Sequence, residues 1–313
     1  MGVIDTLSAG FRLVSRRVWL LLLPVAMDLF LLLGPKLSVL PVVTAAYDSF
    51  VASQDAAIQA GGQAIDETML SEIHSLVSDV VGRVNLFGLG AWSQLGFPSV
   101  AGTRPIDASD TVHTVTSTRE MIAWEVGILA IGLLATSAFL VLIANAVREG
   151  HASSSEVTRS ILSSWGRLLS LVVPFGMGVL AAATLLALLP GVGLMLLMAL
   201  SIGLVWMAIY LAFVPQAITL ADSRALGALS NSFVLVRNNF MASIGLLALV
   251  VLLRNGLGLV WGRLLLRSQL GAVIAIVGNA YVGTGLTAAM FFFYRDRMAT
   301  LRQGRASRSL RLR

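Results

Sequence analysis

Asp28 is the one acid set deep in an apolar run, VWLLLLPVAMDLFLLLG over residues 18–34. It lies eleven positions past Arg17, so ~16 Å along a helix that rises 1.5 Å per residue. A charge at that depth in lipid costs roughly 2.5–3.5 kcal/mol on insertion scales, so the carboxyl must face protein or water. Two chemistries fit: a proton or cation site, or a hydrogen-bonded strut that meets Thr136, Ser137 or Ser201. No second deep acid accompanies it, which favours the strut. Arg254 lies ~22 Å beyond Asn239 by the same rise, and either snorkels outward or reaches towards Asp28. Asn145, Asn279 and Tyr281 sit in apolar runs and suit interhelical hydrogen bonds better than ligands. Glu125, beside Trp124, reads as an interface residue.

Other catalytic patterns fail on residue type. There is no cysteine, which removes disulfides and thiolate metal sites. The three histidines, His74, His113 and His151, fall in aqueous stretches. His74 with Glu72, or His113 with Asp110, could contribute to a metal site, but scattered surface residues explain them as simply. GLGLVWG at 256–262 lacks the strand, lysine and hydroxyl residue of a phosphate cradle. No nucleophile–base pair can be assembled. The reading is a non-enzyme with no metal and no cofactor.

The elements that carry these residues follow from composition. Of 313 residues, 57% are apolar and 12% charged, with mean hydropathy +0.86. Soluble domains carry roughly 25% charged residues. Six runs reach the ~20 residues that a bilayer core requires: about 18–40, 122–147, 168–189, 191–214, 240–261 and 271–294. Irregular backbone cannot face lipid, so each should be a helix. Basic residues set the orientation. Both termini placed in the cytoplasm give inside segments fifteen basic and five acidic residues, seven of the arginines lying from Arg295 onward. The tail 295–313 then acts as a basic cytoplasmic anchor on anionic lipid rather than a nucleic-acid arm. The first run is too long, and too polar at Asp28 and Lys36, for a cleaved signal peptide.

Two stretches repeat. TLSAGFRLVSRRV (6–18) and ALSNSFVLVRNNF (228–240) share Leu7/Leu229, Ser8/Ser230, Phe11/Phe233, Leu13/Leu235 and Val14/Val236. Ile4, Leu7, Phe11, Val14 and Val18 have the same spacing as Leu226, Leu229, Phe233, Val236 and Phe240. Each set predicts an amphipathic helix lying in the membrane interface just ahead of a span. A looser copy, Val157, Ile161, Trp165 and Leu168, precedes the third span. The expected fold is therefore all-α and polytopic: six transmembrane helices as three parallel repeats of interfacial helix plus transmembrane hairpin. Its parts are an interfacial helix and first span (1–40), an extracytoplasmic, acidic, partly helical segment (41–120), five further spans (121–294) with interfacial helices at about 155–168 and 225–240, and the tail (295–313).

The stretch VPQAITLADSRALGALSNSFVLVRNNFMASIGLLAL resembles the membrane domain of glycerophosphodiester phosphodiesterases and related uncharacterised bacterial inner-membrane proteins. Ala228, Leu229, Ser232, Phe233, Leu235, Val236, Arg237, Asn239 and Phe240 carry the likeness, over about a tenth of the chain. It implies a six-helix domain of a prokaryotic cytoplasmic membrane without known activity. The soluble phosphodiesterase barrel is absent, so hydrolysis does not carry over.

The segment 41–120 holds nine acids and three arginines. QAIDETMLSEIHSLVSDVVGRVNL predicts a helix with Ile65, Met69, Ile73, Leu76, Val80 and Val84 on one face. NLFGLGAWSQLGFPSVAG suits a stretch on the outer membrane surface with Phe87, Trp92 and Phe97 inserted, or a small packed cap. Opposite lie Arg254, Arg263 and Arg267 with no acid among them. Either the acidic segment packs over these arginines or they meet lipid phosphates. Membrane lipids are the expected partners, with other membrane proteins or further copies as candidates, and no nucleic acid. The expected role is non-catalytic, lipid-interacting or membrane-organising; the alternative is a small-solute or proton-coupled transporter that uses Asp28.

Overall fold

The structure, a computed structural model, describes residues 2–59, 67–90, 97–107, 110–149, 153–187, 189, 192–221 and 223–311. Apolar runs become helices because a helix alone satisfies every backbone group from within. In order these are α1 (Val3–Arg16), a 3-10 turn (Val18–Leu21), α2 (Leu22–Leu33), β1 (Lys36–Ser38), α3 (Leu40–Gln59), α4 (Glu67–Val81) and α5 (Leu86–Gly90). A 3-10 turn (Ala101–Thr103), β2 (Val112–Thr114), α6 (Thr118–Arg148), α7 (Ser154–Ala187) and α8 (Gly193–Leu211) follow. The chain continues as α9 (Val214–Ala221), α10 (Ala225–Asn238), α11 (Phe240–Leu265) and α12 (Gln269–Arg311). Among the described residues the fold is all-α apart from one short parallel strand pair. Its several long apolar helices are consistent with a polytopic membrane protein.

Among the described residues five helices are long and apolar enough to cross a bilayer: α6, α7, α8 with α9, α11 and α12. The run expected to span 18–40 is shorter. A four-residue 3-10 turn and the twelve residues of α2 end at Gly34. Two features stop it. The Lys36 ammonium turns back to donate to the Leu31 and Leu32 carbonyls, and the Lys36 N–H bonds the Thr111 carbonyl at 2.8 Å. Lys36 thereby starts β1, in register with Val112 of β2. The last span differs in the other direction. Helix α12 runs on to Arg311, so most of the expected tail continues the same rod.

The repeated helices are present, with small side chains buried beside the later members of each stripe. Helices α1 and α10 are both fourteen residues long. Both stop at one non-helical residue, Arg17 (φ −130°, ψ 62°) and Asn239 (φ −131°, ψ 39°). Each of those donates its N–H to the carbonyls three and four residues earlier, at 3.0–3.2 Å, before the next helix begins. The expected stripes are exposed at their starts, Ile4 by 75% and Leu226 by 79%, while Val14 and Val236 are buried and Leu7, Phe11, Leu229 and Phe240 pack on the main core. Full burial follows Thr6, Gly10 and Val14 in α1 and Ala228, Ser232 and Val236 in α10, which are matching positions of the repeat. Small side chains win because helices in lipid associate by close packing, without a hydrophobic drive between them. A Cβ on Gly10 would lie 2.3 Å from the Gly285 carbonyl and 2.7 Å from the Ala289 nitrogen. The third copy, at 155–168, is no separate helix: α7 runs unbroken from Ser154 to Ala187.

Helix α1 packs along α12, α7 along α6, and α10 against α8. The ends of α6, α9 and α12 meet in the main core. Phe139, Leu140, Ile143 and Val147 lie there with Phe213, Ala217, Ile218, Leu286, Phe291 and Phe293. Arginines close this end. Arg148 donates to the Thr219 and Leu220 carbonyls, Arg167 to Ser223 at 3.2 Å, and Arg295 to Val147 at 2.6 Å. We call it the arginine end, and the opposite one the strand end.

Candidate functional site: a loop clasped inside the bundle

At the strand end the chain segment 97–103 does not rest on the surface. It enters the bundle between α2, α6, α11 and α12. Phe97 is buried and meets Phe139 of α6 edge-on, with ring centroids 5.2 Å apart. Pro98 lies against Gly283, where a Cβ would stand 2.2 Å from the Pro98 Cβ. Val100 packs with Ala272, Ala275 and Ile276 of α12, and Ala101 with Leu31 of α2. Backbone at this depth is tolerated only inside protein and with its polar groups satisfied.

Asp28 and Arg254 satisfy them. Both carboxyl oxygens of Asp28 accept: Oδ1 from the Ser99 hydroxyl at 2.5 Å and the Ala101 N–H at 3.2 Å, and both oxygens from the Val100 N–H at 3.1 Å. The Ser99 oxygen accepts the Gly102 N–H at 3.1 Å, closing the turn. On the other flank Arg254 Nη2 donates to the Phe97 carbonyl at 2.5 Å. The two candidate polar residues of the spans therefore hold two ends of one loop. Asp28 meets none of Thr136, Ser137 and Ser201, because the partner comes from a segment some seventy residues downstream in sequence. Arg254 points inward and is half-buried.

The remaining candidates fall elsewhere. Ile276, Asn279 and Gly283 follow one face of α12 by spacing, and Ile276 and Gly283 both touch the loop. Asn279 Nδ2 is buried there with no partner among the described residues. Asn145 is half-buried on α6, towards the arginine end. Tyr281 joins α1 through a 2.9 Å hydroxyl contact with Ser15. Glu125 is exposed. His113 pairs with Glu120 at 3.3 Å rather than with Asp110, and His74 lies against the Tyr47 ring. No group of three metal-ligating side chains occurs among the described residues. His151, Trp92 and Ile65 lie outside those residues.

The repeat motif is spent on structure. The Ser232 oxygen accepts the Phe213 N–H at 3.2 Å and its hydroxyl donates to the Tyr210 carbonyl at 2.7 Å, bridging the break between α8 and α9. Phe233, 44% exposed, stacks on Tyr210 with centroids 5.0 Å apart, and Phe240 flanks the same ring. Leu229 packs on the main core and Val236 lies in it. Asn239 makes the break, and Arg237 is exposed.

A second polar cluster pins the ends of the clasped segment. Arg104 meets both oxygens of Asp110, at 2.8 and 3.0 Å, and Asp110 also accepts the Asp107 N–H. Burial opposes charge on Asp110, but Arg104, the Asp107 N–H and Lys36 outweigh it and hold the carboxyl below its usual range. Burial lowers Lys36 beneath the usual lysine value, with Asp110 opposing. Asn85 Oδ1 accepts the Leu37 N–H at 3.0 Å, fixing β1 beneath α5.

Arg263 and Arg267 are exposed, and no ion pair among the described residues links them to the acidic segment. Of the three arginines set opposite the acidic segment, Arg254 is the one that the segment reaches, through the Phe97 carbonyl. The segment's helices α3 and α4 pair with one another. Sequence reasoning missed Ser99 and the Val100 and Ala101 amides. The available signal was FPSVAG, a Pro-Ser turn with a glycine three residues after the serine, inside a stretch free of acids. Comparison with known proteins finds no matching family model, no matching curated protein and no matching solved structure.

Proposed function

We propose that the chain is a non-catalytic, multi-pass protein of a prokaryotic cytoplasmic membrane, which organises lipid or holds partner proteins there. In this reading it crosses six times as three hairpins, the short Val18–Leu33 run included, with α1 and α10 as separate leading helices and both termini cytoplasmic. The arginine end then faces the cytoplasm and its arginines lie among anionic headgroups. One observation carries the reading. Asp28, the residue best suited to chemistry or transport, has both carboxyl oxygens committed to a loop of its own chain. Meanwhile hardly any of the apolar length of α7, and none of that of α8, is buried, against 56% in α12. Polar groups thus serve the fold, while apolar surface is left to the surroundings. The resemblance of residues 214–249 to the phosphodiesterase membrane domain implies a six-helix membrane domain and fits the multi-pass part of this reading.

Native-lipid mass spectrometry on protein extracted with its membrane tests this. The expected result is retained anionic phospholipid that falls when Arg12, Arg16 and Arg237 are replaced by Gln. A second reading, a solute or proton path, draws on buried side-chain atoms without partners among the described residues: Gln216 Oε1, Ser243 Oγ, Asn279 Nδ2, Thr284 Oγ1 and Tyr294 OH. Proton or solute flux in proteoliposomes, abolished by Asp28→Asn in a folded protein, would replace the first reading with the second.

A further inference from the structure

Two exposed surfaces at the strand end match each other in chemistry. On α4, Glu72, Leu76, Asp79 and Val80 occupy one face by their spacing, and all four are exposed, Leu76 by 63% and Val80 by 55%. On α11 and the turn after it, Leu259, Arg263 and Leu266 share a face with Arg267 beside them. Leu259 is 69% exposed and Leu266 63%. Acids alternate with apolar side chains on the first surface, and arginines alternate with apolar side chains on the second. Each runs ~10–12 Å along its helix at 1.5 Å per residue.

We propose that copies of the chain associate in the membrane head to tail, the α4 face of one docking on the α11–α12 turn of the next. Among the described residues no ion pair joins the two surfaces within one chain: Arg263 and Arg267 have none, and on α4 Asp79 makes an exposed contact with Arg83 at 3.9 Å. Beyond its base at Val42, the α3–α4 arm packs chiefly on itself, through contacts such as Tyr47 on His74. A bilayer holds every copy in one orientation and at one depth. Patches at the same end of two copies therefore stand at the same height, and lateral diffusion alone brings them together. Because the two patches differ, each contact leaves a free arm and a free turn, so association closes into a ring or continues as a row. Apolar side chains supply the contact area, while the charges fix register and exclude arm-to-arm contact. The proposal rests on membrane embedding, not on the lipid role.

Two differently tagged copies, co-expressed and extracted into lipid nanodiscs, test it by capture of one through the tag of the other. Wild type should capture wild type. Glu72→Arg with Asp79→Arg, and separately Arg263→Glu with Arg267→Glu, should each lower self-capture at least tenfold. Mixing those two variants should restore capture, since each then offers the charge the other lacks, and one chain carrying all four changes should capture itself. Restoration by mixing also shows that both variants are folded. Wild-type protein that integrates into membranes but is never captured would overturn the proposal alone. Rescue of thermal stability by the four changes together without capture would do the same, because it would place the contact within one chain. Protein that stays in the aqueous phase without detergent would instead remove the membrane reading.

Discussion

Replacing Asp28 is the sharpest perturbation available. Its carboxyl receives the Ser99 hydroxyl and the Val100 and Ala101 N–H groups, and it is fully buried. In Asp28→Ala two backbone donors lose their acceptor where no water replaces it, at about 1–3 kcal/mol each. The serine hydroxyl can turn elsewhere, so it adds little. The sum with the small cavity is about 3–5 kcal/mol, the range found when one partner of a buried polar cluster is removed. Asp28→Asn keeps one acceptor oxygen but aims an NH2 at the loop, and should cost about 1–3 kcal/mol. Ser99→Ala should cost about 1 kcal/mol. Equilibrium unfolding of the detergent-solubilised protein gives the order, and hydrogen exchange at Val100 and Ala101 gives the place. Both amides should exchange fastest in Asp28→Ala. A variant as stable as wild type within ~0.5 kcal/mol, with those two amides still protected, would refute the clasp.

Gly10→Val drives a side chain into the Gly285 carbonyl and Ala289 backbone and should destabilise by about 1–3 kcal/mol or more, whereas Gly245→Ala, in open space, should be neutral or better; thermal unfolding separates them. Asp110 is held below its usual range when folded. Its contribution is therefore complete above the ordinary carboxylate value of about 3.9 and is lost as pH falls through the lower folded value. Exchange of the Lys36 and Val115 amides should rise in that acid window and lose its pH dependence there in Asp110→Asn. Ser232→Ala removes the bridge across the α8–α9 break and leaves the Phe213 N–H without its acceptor. A loss of about 1–3 kcal/mol is expected, read by the same unfolding experiment, with Ser230→Ala as the exposed control.

Long apolar runs were legible because lipid permits one backbone solution over ~20 residues, and α6, α7, α8, α11 and α12 follow from that. The fourteen-residue repeat was legible as well, yet its buried face was not. Periodicity of large apolar residues placed each stripe, Ile4 and Leu226 included, in the membrane interface and said nothing of which residues meet another helix. Between helices in lipid the decisive residues were Gly10, Ala228 and Ser232, whose small size carries no hydropathy signal. The end of α2 was hidden for a related reason. Lys36 reads as a flank of a span, and only its folded position shows that it caps the Leu31 and Leu32 carbonyls and then pairs as a strand. Asp28 could be singled out by depth, but its partners could not. Phe97 to Ala101 read either as a stretch on the membrane surface or as part of a small packed cap, and nothing local in FPSVAG records that Gly283, far along the chain, leaves room for Pro98.

Ser15 meets Tyr281 across 266 residues of sequence, and Arg254 reaches Phe97 across 157. A ribosome delivers α1, α2 and the 97–103 segment long before α11 and α12 exist. Until those arrive, Gly10 has no groove to enter, and the pocket for Pro98 and Phe97 lacks a wall. The segments up to residue 103 therefore cannot reach their final packing until α11 and α12 are made. Mutations in α12 should then strand α1, α2 and the 97–103 segment in a protease-sensitive form, even though the altered residues are translated later.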